Sequence, residues 1–166
     1  MEVRIAKAWS ALNSLQKIWK APILKQTKTK VFKASVESIL LYGSESWSLN
    51  VAKRKRLDGV YTKMLRAIYN LSWRDHPTNA FVYGSLPRIS EVVRCRRLAL
   101  AGHTARHDEP AGHLLTWVPE EPRRIGRPNI TLRAIIQDDT GLEGKNLIAA
   151  MQDRDSWRKN FVQRFT

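Results

Sequence analysis

Apolar residues recur at three- and four-residue steps along most of this chain, the spacing that gathers them on one face of a helix. Ile5, Ala8, Trp9, Leu12, Leu15 and Trp19 form the first stripe and predict a helix over residues 2 to 20. Pro22 interrupts it, because proline lacks an amide donor and crowds the turn before it. A second helix is expected from about Thr27 to Tyr42, with Val31, Phe32, Ser35, Val36, Ile39 and Leu40 inward. Gly43 follows as its C-terminal stop, since glycine enters the left-handed conformation without a Cβ clash. Leu57, Val60, Tyr61, Met64, Leu65 and Ile68 give the cleanest stripe and a third helix.

Between Trp73 and Leu86 the pattern loosens, and Pro77, Gly84 and Pro87 bound a short helical turn around residues 78 to 83. Ser90 reads as the N-cap of a helix reaching about Arg106, in which Val93, Leu98, Leu100 and Ala101 can bury. Residues 108 to 130 contain Pro110, Gly112, Pro119, Pro122, Gly126 and Pro128, which predicts one long irregular loop. Beyond it, Leu132, Ile135 and Ile136 mark a short helix, and Leu147, Ile148, Met151, Trp157 and Phe161 mark one or two more. The expected fold class is all-α.

Charge adds a partner to this picture. The 166 residues carry 29 Lys and Arg against 15 Asp and Glu, a net charge of +14. Residues 1 to 100 hold 19 basic and 6 acidic side chains, residues 101 to 166 only 10 and 9. Such a field draws polyanions by counterion release, independently of their sequence and with strong salt dependence. Lys25, Lys28, Lys30 and Lys33 crowd the first turns of the second helix. Positive charge there opposes the helix dipole, so an external anion such as phosphate explains them better than helix stability does. Lys53, Arg54, Lys55 and Arg56 precede the third helix, and Arg94, Arg96 and Arg97 give the later helix a basic face. Each cluster is either a solvated helix surface or a nucleic-acid contact. Arg123, Arg124 and Arg127 lie in Arg123-Arg124-Ile125-Gly126-Arg127-Pro128. Its Gly-Arg-Pro core is similar to the AT-hook, with Ile125 where that motif carries arginine, so a loop-structural role and a nucleic-acid contact both stay open.

Other chemistry finds few parts. A single Cys95 excludes an internal disulfide framework and fits a reducing compartment. With no run of 18 apolar residues and no apolar core near Met1, a soluble cytoplasmic or nuclear protein with no membrane contact is expected. Cys95, His103, His107 and His113 follow a C-x7-H-x3-H-x5-H spacing, which makes Cys95, His103 and His107 weak metal candidates. Structural zinc sites draw two ligands from each of two short turns, and no second cysteine is present, so no metal is expected. Asp75-His76 and His107-Asp108 are sequence neighbours that point in different directions on a helix, and Ser44 lacks the second glycine of a nucleophile elbow. No catalytic residue, cofactor or small-molecule substrate is expected. Asp138-Asp139 reads as a helix-terminal, capping pair. Of the six tryptophans, Trp117 in the proline-rich stretch is the one suited to stacking a base.

Several short stretches carry a resemblance through their order. They are Leu40-Leu41-Tyr42-Gly43-Ser44-Glu45-Ser46-Trp47, Arg56-Leu57-Asp58-Gly59, Met64-Leu65-Arg66, Leu71-Ser72-Trp73-Arg74-Asp75-His76, Arg96-Arg97-Leu98, Gly102-His103, Gly126-Arg127-Pro128, Asp139-Thr140-Gly141-Leu142 and Asp153-Arg154-Asp155-Ser156-Trp157-Arg158. Together, across nearly the whole chain, they resemble the region after the polymerase palm in non-LTR (LINE-like) retrotransposon endonuclease-reverse transcriptases. The resemblance implies a thumb-like helical pair at 1–48 that packs on a template-primer duplex, a basic helical connector at 49–107, an irregular loop at 108–130 and a small C-terminal helical unit at 131–166. The family's RNA-directed DNA polymerase activity needs palm carboxylates that hold Mg²⁺, usually an aromatic-Ala-Asp-Asp, and this chain has none. The resemblance therefore implies a non-catalytic fragment that binds RNA or DNA without sequence preference, through Lys25, Lys28, Lys30, Lys33, Lys53, Arg54, Lys55, Arg56, Arg94, Arg96, Arg97, Arg123, Arg124 and Arg127. The alternative is a helical protein-interaction module, or a remnant reading-frame product without selected function.

Overall fold

In the computed structural model, which describes residues 1–117 and 131–162, the first apolar stripe folds as two helices, α1 (Glu2–Ser14) and α2 (Gln16–Lys20). Leu15 breaks the helix between them at φ −97°, ψ 17°. Ile5, Ala8, Leu12 and Trp19 are buried. The Trp19 indole N–H donates to the Leu12 carbonyl at 2.8 Å, tying α2 back onto α1.

Helix α3 (Lys25–Phe32) runs on through a π-helical turn, Lys33–Glu37, into a last α-turn, Ser38–Leu40. The hydroxyls of Ser35 and Ser38 donate to the carbonyls of Val31 and Ala34 at 2.7 and 2.6 Å. They compete with backbone amides for those acceptors, which favours a looser turn. Phe32, Val36 and Leu40 point inward, and Gly43 ends the segment in the left-handed region at φ 68°, as expected.

Helix α4 (Val51–Ile68) is the centre of its unit. Asn50 caps it by accepting the Lys53 amide at 2.9 Å, and Leu57, Tyr61, Met64, Leu65 and Ile68 make its buried face. Helices α1, α2, α3 and the short α5 (Asn79–Tyr83) all pack against it. Tyr61 donates its hydroxyl to the Glu37 carboxylate at 2.6 Å. Burial, reinforced by that carboxylate, pushes the Tyr61 pKa far above the ordinary phenol value, so the group stays a neutral donor.

Helix α6 (Ile89–Ala105) begins one residue before Ser90, so Ser90 is not the cap that its sequence position suggests. Ser90 instead donates, through its amide at 3.0 Å and its hydroxyl at 2.8 Å, to the carboxylate of Asp58 on α4. A carboxylate supplied by another helix thus meets the positive end of the α6 dipole. The chain divides into two compact units, Met1–Val92 and Val93–Thr166, and the division falls within α6.

The second unit contains the rest of α6 and α7 (Pro110–Thr116), α8 (Leu132–Thr140), α9 (Gly144–Gln152) and α10 (Arg154–Phe161). Helix α7 lies inside the stretch expected to be irregular. Pro110 sits in its first turn, where the missing amide has no helical partner to lose. Leu98, Ala101, Ala105, Ile136, Leu147, Met151 and Trp157 form the unit's core. Trp157 lies across α6 at Gly102 and donates its indole N–H to the Leu98 carbonyl at 2.8 Å. Asp153 caps α10 by accepting the amides of Asp155 and Ser156, each at 3.1 Å. Among the described residues all regular structure is helical, and no helix is long and apolar enough to cross a membrane.

Candidate nucleic-acid interface

The unit Met1–Val92 holds 16 basic and 6 acidic residues, so the positive excess belongs mainly to it. Folding divides its cations into those used by the protein and those left to solvent. Lys28 belongs to the first group: it is buried, and its ammonium donates to the Trp19 carbonyl at 2.5 Å. That carbonyl lies at the C-terminal end of α2, beyond the reach of helical donors, and also accepts from the Asn70 side-chain amide at 2.7 Å. The expected phosphate contact at Lys28 is therefore corrected to a buried cap. Lys25 is exposed but engaged, with its ammonium 4.5 Å from the Tyr69 ring centre, 5.1 Å from that of Phe81 and 3.4 Å from the Phe81 carbonyl. Both rings attract it through their faces. Lys30 is exposed and Lys33 half-buried, and neither side chain forms a hydrogen bond or ion pair among the described residues.

The cluster at the start of α4 is divided in the same way. Arg54 is half-buried and donates to the Leu49 carbonyl at 3.2 Å. Arg56 meets Glu2 at 2.7 Å, but both side chains are well exposed. Such a pair contributes at most about 1 kcal/mol, so a phosphate can compete for Arg56. Lys53 and Lys55 are exposed and hold no side-chain partner among the described residues.

On α6 the expectation changes most. Arg97 is 2% exposed and donates from Nε and Nη2 to Asp139 Oδ2, at 3.0 and 2.5 Å, with the carboxylate equally buried. Arg94 donates at 2.6 Å to the Asp139 backbone carbonyl, one of the last acceptors of α8 that lacks a helical donor. Arg97 is thus no phosphate ligand. Asp139 stands at a helix end, as expected, but it anchors arginines and does not cap the helix. Arg96 is half-buried. Arg123, Arg124 and Arg127 lie outside the described residues.

The metal candidates do not converge. Cys95 is buried, while His103 and His107 pack their rings 4.3 Å apart on one exposed face of α6 and the turn after it. His113 pairs with Asp108 at 2.9 Å. Among the described residues no three His, Cys, Asp or Glu side chains are placed to hold a metal ion. Trp117 is 64% exposed, and its carbonyl accepts from Arg133 at 3.1 Å.

Sequence reasoning passes over further exposed cations of the first unit, Lys7, Lys17, Lys20, Lys63, Arg74 and Arg88. None falls in a run of basic residues dense enough to stand out as a cluster. Arg88 becomes notable only because folding brings it to the same groove as Lys55, between α4, α5 and the turn after α5. No family model, curated protein or solved structure matches this chain.

Proposed function

We propose that this chain is a non-catalytic, nucleic-acid-binding segment of the kind found after the palm of non-LTR retrotransposon reverse transcriptases, and that it holds a template-primer-like duplex through phosphates. The observation that carries the reading is the positive excess of the first unit, where Lys30, Lys33, Lys53 and Lys55 form no side-chain bond or ion pair among the described residues. Cations held in solvent along helices lower the cost of bringing phosphates close but do not read base edges, so binding without sequence preference is the consequence.

The family part of the reading draws support from how the resembling stretches pair. Arg97 of Arg96-Arg97-Leu98 holds Asp139 of Asp139-Thr140-Gly141-Leu142. Trp157 and Asp153 belong to one stretch, and the indole lies against Gly102 of another. Residues from four of the resembling stretches thus meet within the second unit. No palm carboxylate pair is present in the sequence, so DNA synthesis is not assigned to this chain by itself.

The test is fluorescence anisotropy of a labelled RNA–DNA duplex at two salt concentrations. Four phosphate contacts give a log–log salt slope near about −3.6, or a loss of roughly a hundredfold between 50 and 200 mM salt. Changing Lys30, Lys33, Lys53 and Lys55 to Gln should remove most of that slope. Absence of binding at low salt, or binding indifferent to salt, would overturn the reading in favour of a helical protein-interaction module, whose apolar contacts do not weaken with salt.

A further inference from the structure

Gly59 occupies the middle of α4 with ordinary helical backbone, and a Cβ built there meets no atom within 4 Å. Glycine inside a helix costs stability relative to alanine. Here neither a left-handed turn nor a close neighbour requires it. Its missing side chain leaves open a groove of about 520 Å³ on the first unit, between α4, α5 and residues 84–88. That volume falls within the range of sites that enclose small organic ligands.

The lining has a definite chemistry. Lys55 and Arg88 both border the groove, both are exposed, and neither side chain has a hydrogen bond or ion pair among the described residues. Asp58, the acid of the groove, gives its two oxygens to the amide and hydroxyl of Ser90, so its charge already answers the N-terminus of α6. Thr62 donates to the Asp58 backbone carbonyl at 2.7 Å, so the single proton of the Tyr83 hydroxyl is shared between Thr62 at 3.0 Å and that same carbonyl at 3.4 Å, while the phenol oxygen stays able to accept. Burial raises the Tyr83 pKa, so no phenolate competes with an incoming anion. Asn79 accepts from Arg66 through its carbonyl oxygen at 3.1 Å, and its amide nitrogen remains a donor.

We propose that this groove seats one nucleotide of the bound strand, its phosphate between Lys55 and Arg88 and its sugar against Tyr83 and Asn79 over the open floor at Gly59. A neutral hydroxyl acceptor and an amide donor in a groove bordered by two exposed cations suit a sugar-phosphate unit better than a bare anion, which would leave most of the volume empty. The inference rests on the nucleic-acid-binding reading and adds a place to it. Binding through the general field would be insensitive to the shape of this groove, whereas binding through the groove is not.

Gly59→Leu separates the two, since it fills the groove without changing the net charge and replaces glycine by a better helix former. Its affinity for the labelled RNA–DNA duplex at 50 mM salt should fall on the order of tenfold, the weight of about one phosphate contact at that ionic strength. Lys55→Gln with Arg88→Gln should flatten the salt slope by about 1.8. The same two charges removed at Lys7 and Lys17 should flatten it by less. If the wild type binds with the expected salt dependence and Gly59→Leu binds equally well, the groove assignment is wrong and the broader reading survives. If the wild type does not bind the duplex at low salt, both fall. A melting curve for each variant confirms that a loss of binding is not a loss of fold.

Discussion

Replacing Gly102 by alanine sets two opposed effects against each other. Alanine is the better helix former by about 1 kcal/mol, and Gly102 lies in the last turn of α6. Yet a Cβ at this position would stand 2.5 Å from Nε1 and 2.6 Å from Cδ1 of the Trp157 indole, and 3.1 Å from the Arg106 guanidinium. No real Cβ tolerates the first two distances, so the ring must move. Trp157 is 1% exposed, and its N–H reaches the Leu98 carbonyl at 2.8 Å. Displacing it leaves a buried polar group unpaired, at about 1–3 kcal/mol, and forces the core to repack, at about 1–3 kcal/mol more. After the helix-propensity gain, the expected net loss is about 1–5 kcal/mol. Urea unfolding followed by circular dichroism measures it, and the Trp157 indole N–H resonance should shift as its hydrogen bond breaks. Gly59→Ala is the matched control. With nothing within 4 Å of the new Cβ it keeps only the propensity gain, and should stabilise by about 1 kcal/mol. A Gly102→Ala protein as stable as the wild type, with the indole resonance unmoved, would refute this account of the packing.

Arg97→Ala should destabilise by about 3–5 kcal/mol, because it takes the Nε and Nη2 donors from the Asp139 carboxylate, whose side chain is 2% exposed, and leaves the Arg94 guanidinium at 3.9 Å as a weaker partner. Pairing Arg97→Met with Asp139→Leu should recover most of that loss in the same urea titration. A single variant within about 1 kcal/mol of wild type would show the pair to be dispensable. For Asp153, hydrogen bonds from Ser156 hold the folded-state carboxyl below its ordinary value of 3.8. Its contribution is therefore present above pH 3.8 and lost as pH falls through the lower folded value. In melting experiments from neutral pH downward, the gap between wild type and Asp153→Asn should narrow only below that point. A gap that stays constant to pH 2.5 would contradict the cap's electrostatic role.

Much of the helical layout is legible in the periodicity of the chain. The stripe Leu57-Tyr61-Met64-Leu65-Ile68 is the buried face of α4, and Gly43 stops the second helical segment. Where local chemistry offers two answers, periodicity does not choose between them. Leu15 divides the first stripe into two helices where no proline or glycine marks a break, and the second of them ends at Lys20, just before Pro22. Residues 110–116 coil despite Pro110, since a first-turn proline opposes nothing. The basic clusters are equally ambiguous: Lys28 and Lys30, two positions apart, look alike in sequence, yet one is buried against a helix end and the other faces solvent.

The sequence by itself determined that the chain is helical, where its stripes of apolar residues run, and that the positive charge gathers in the first hundred residues, because periodicity and composition are local and additive. Only the tertiary structure decided which cations are spent. A lysine or arginine is drawn inward when folding leaves a helix-end carbonyl or a buried carboxylate without a donor, as at Trp19 and Asp139, and those acceptors come from residues 9 and 42 positions away. The groove at Gly59 arises in the same way: Lys55 and Arg88 lie more than thirty residues apart, and their shared chemistry exists only once α5 and the turn after it fold back on α4.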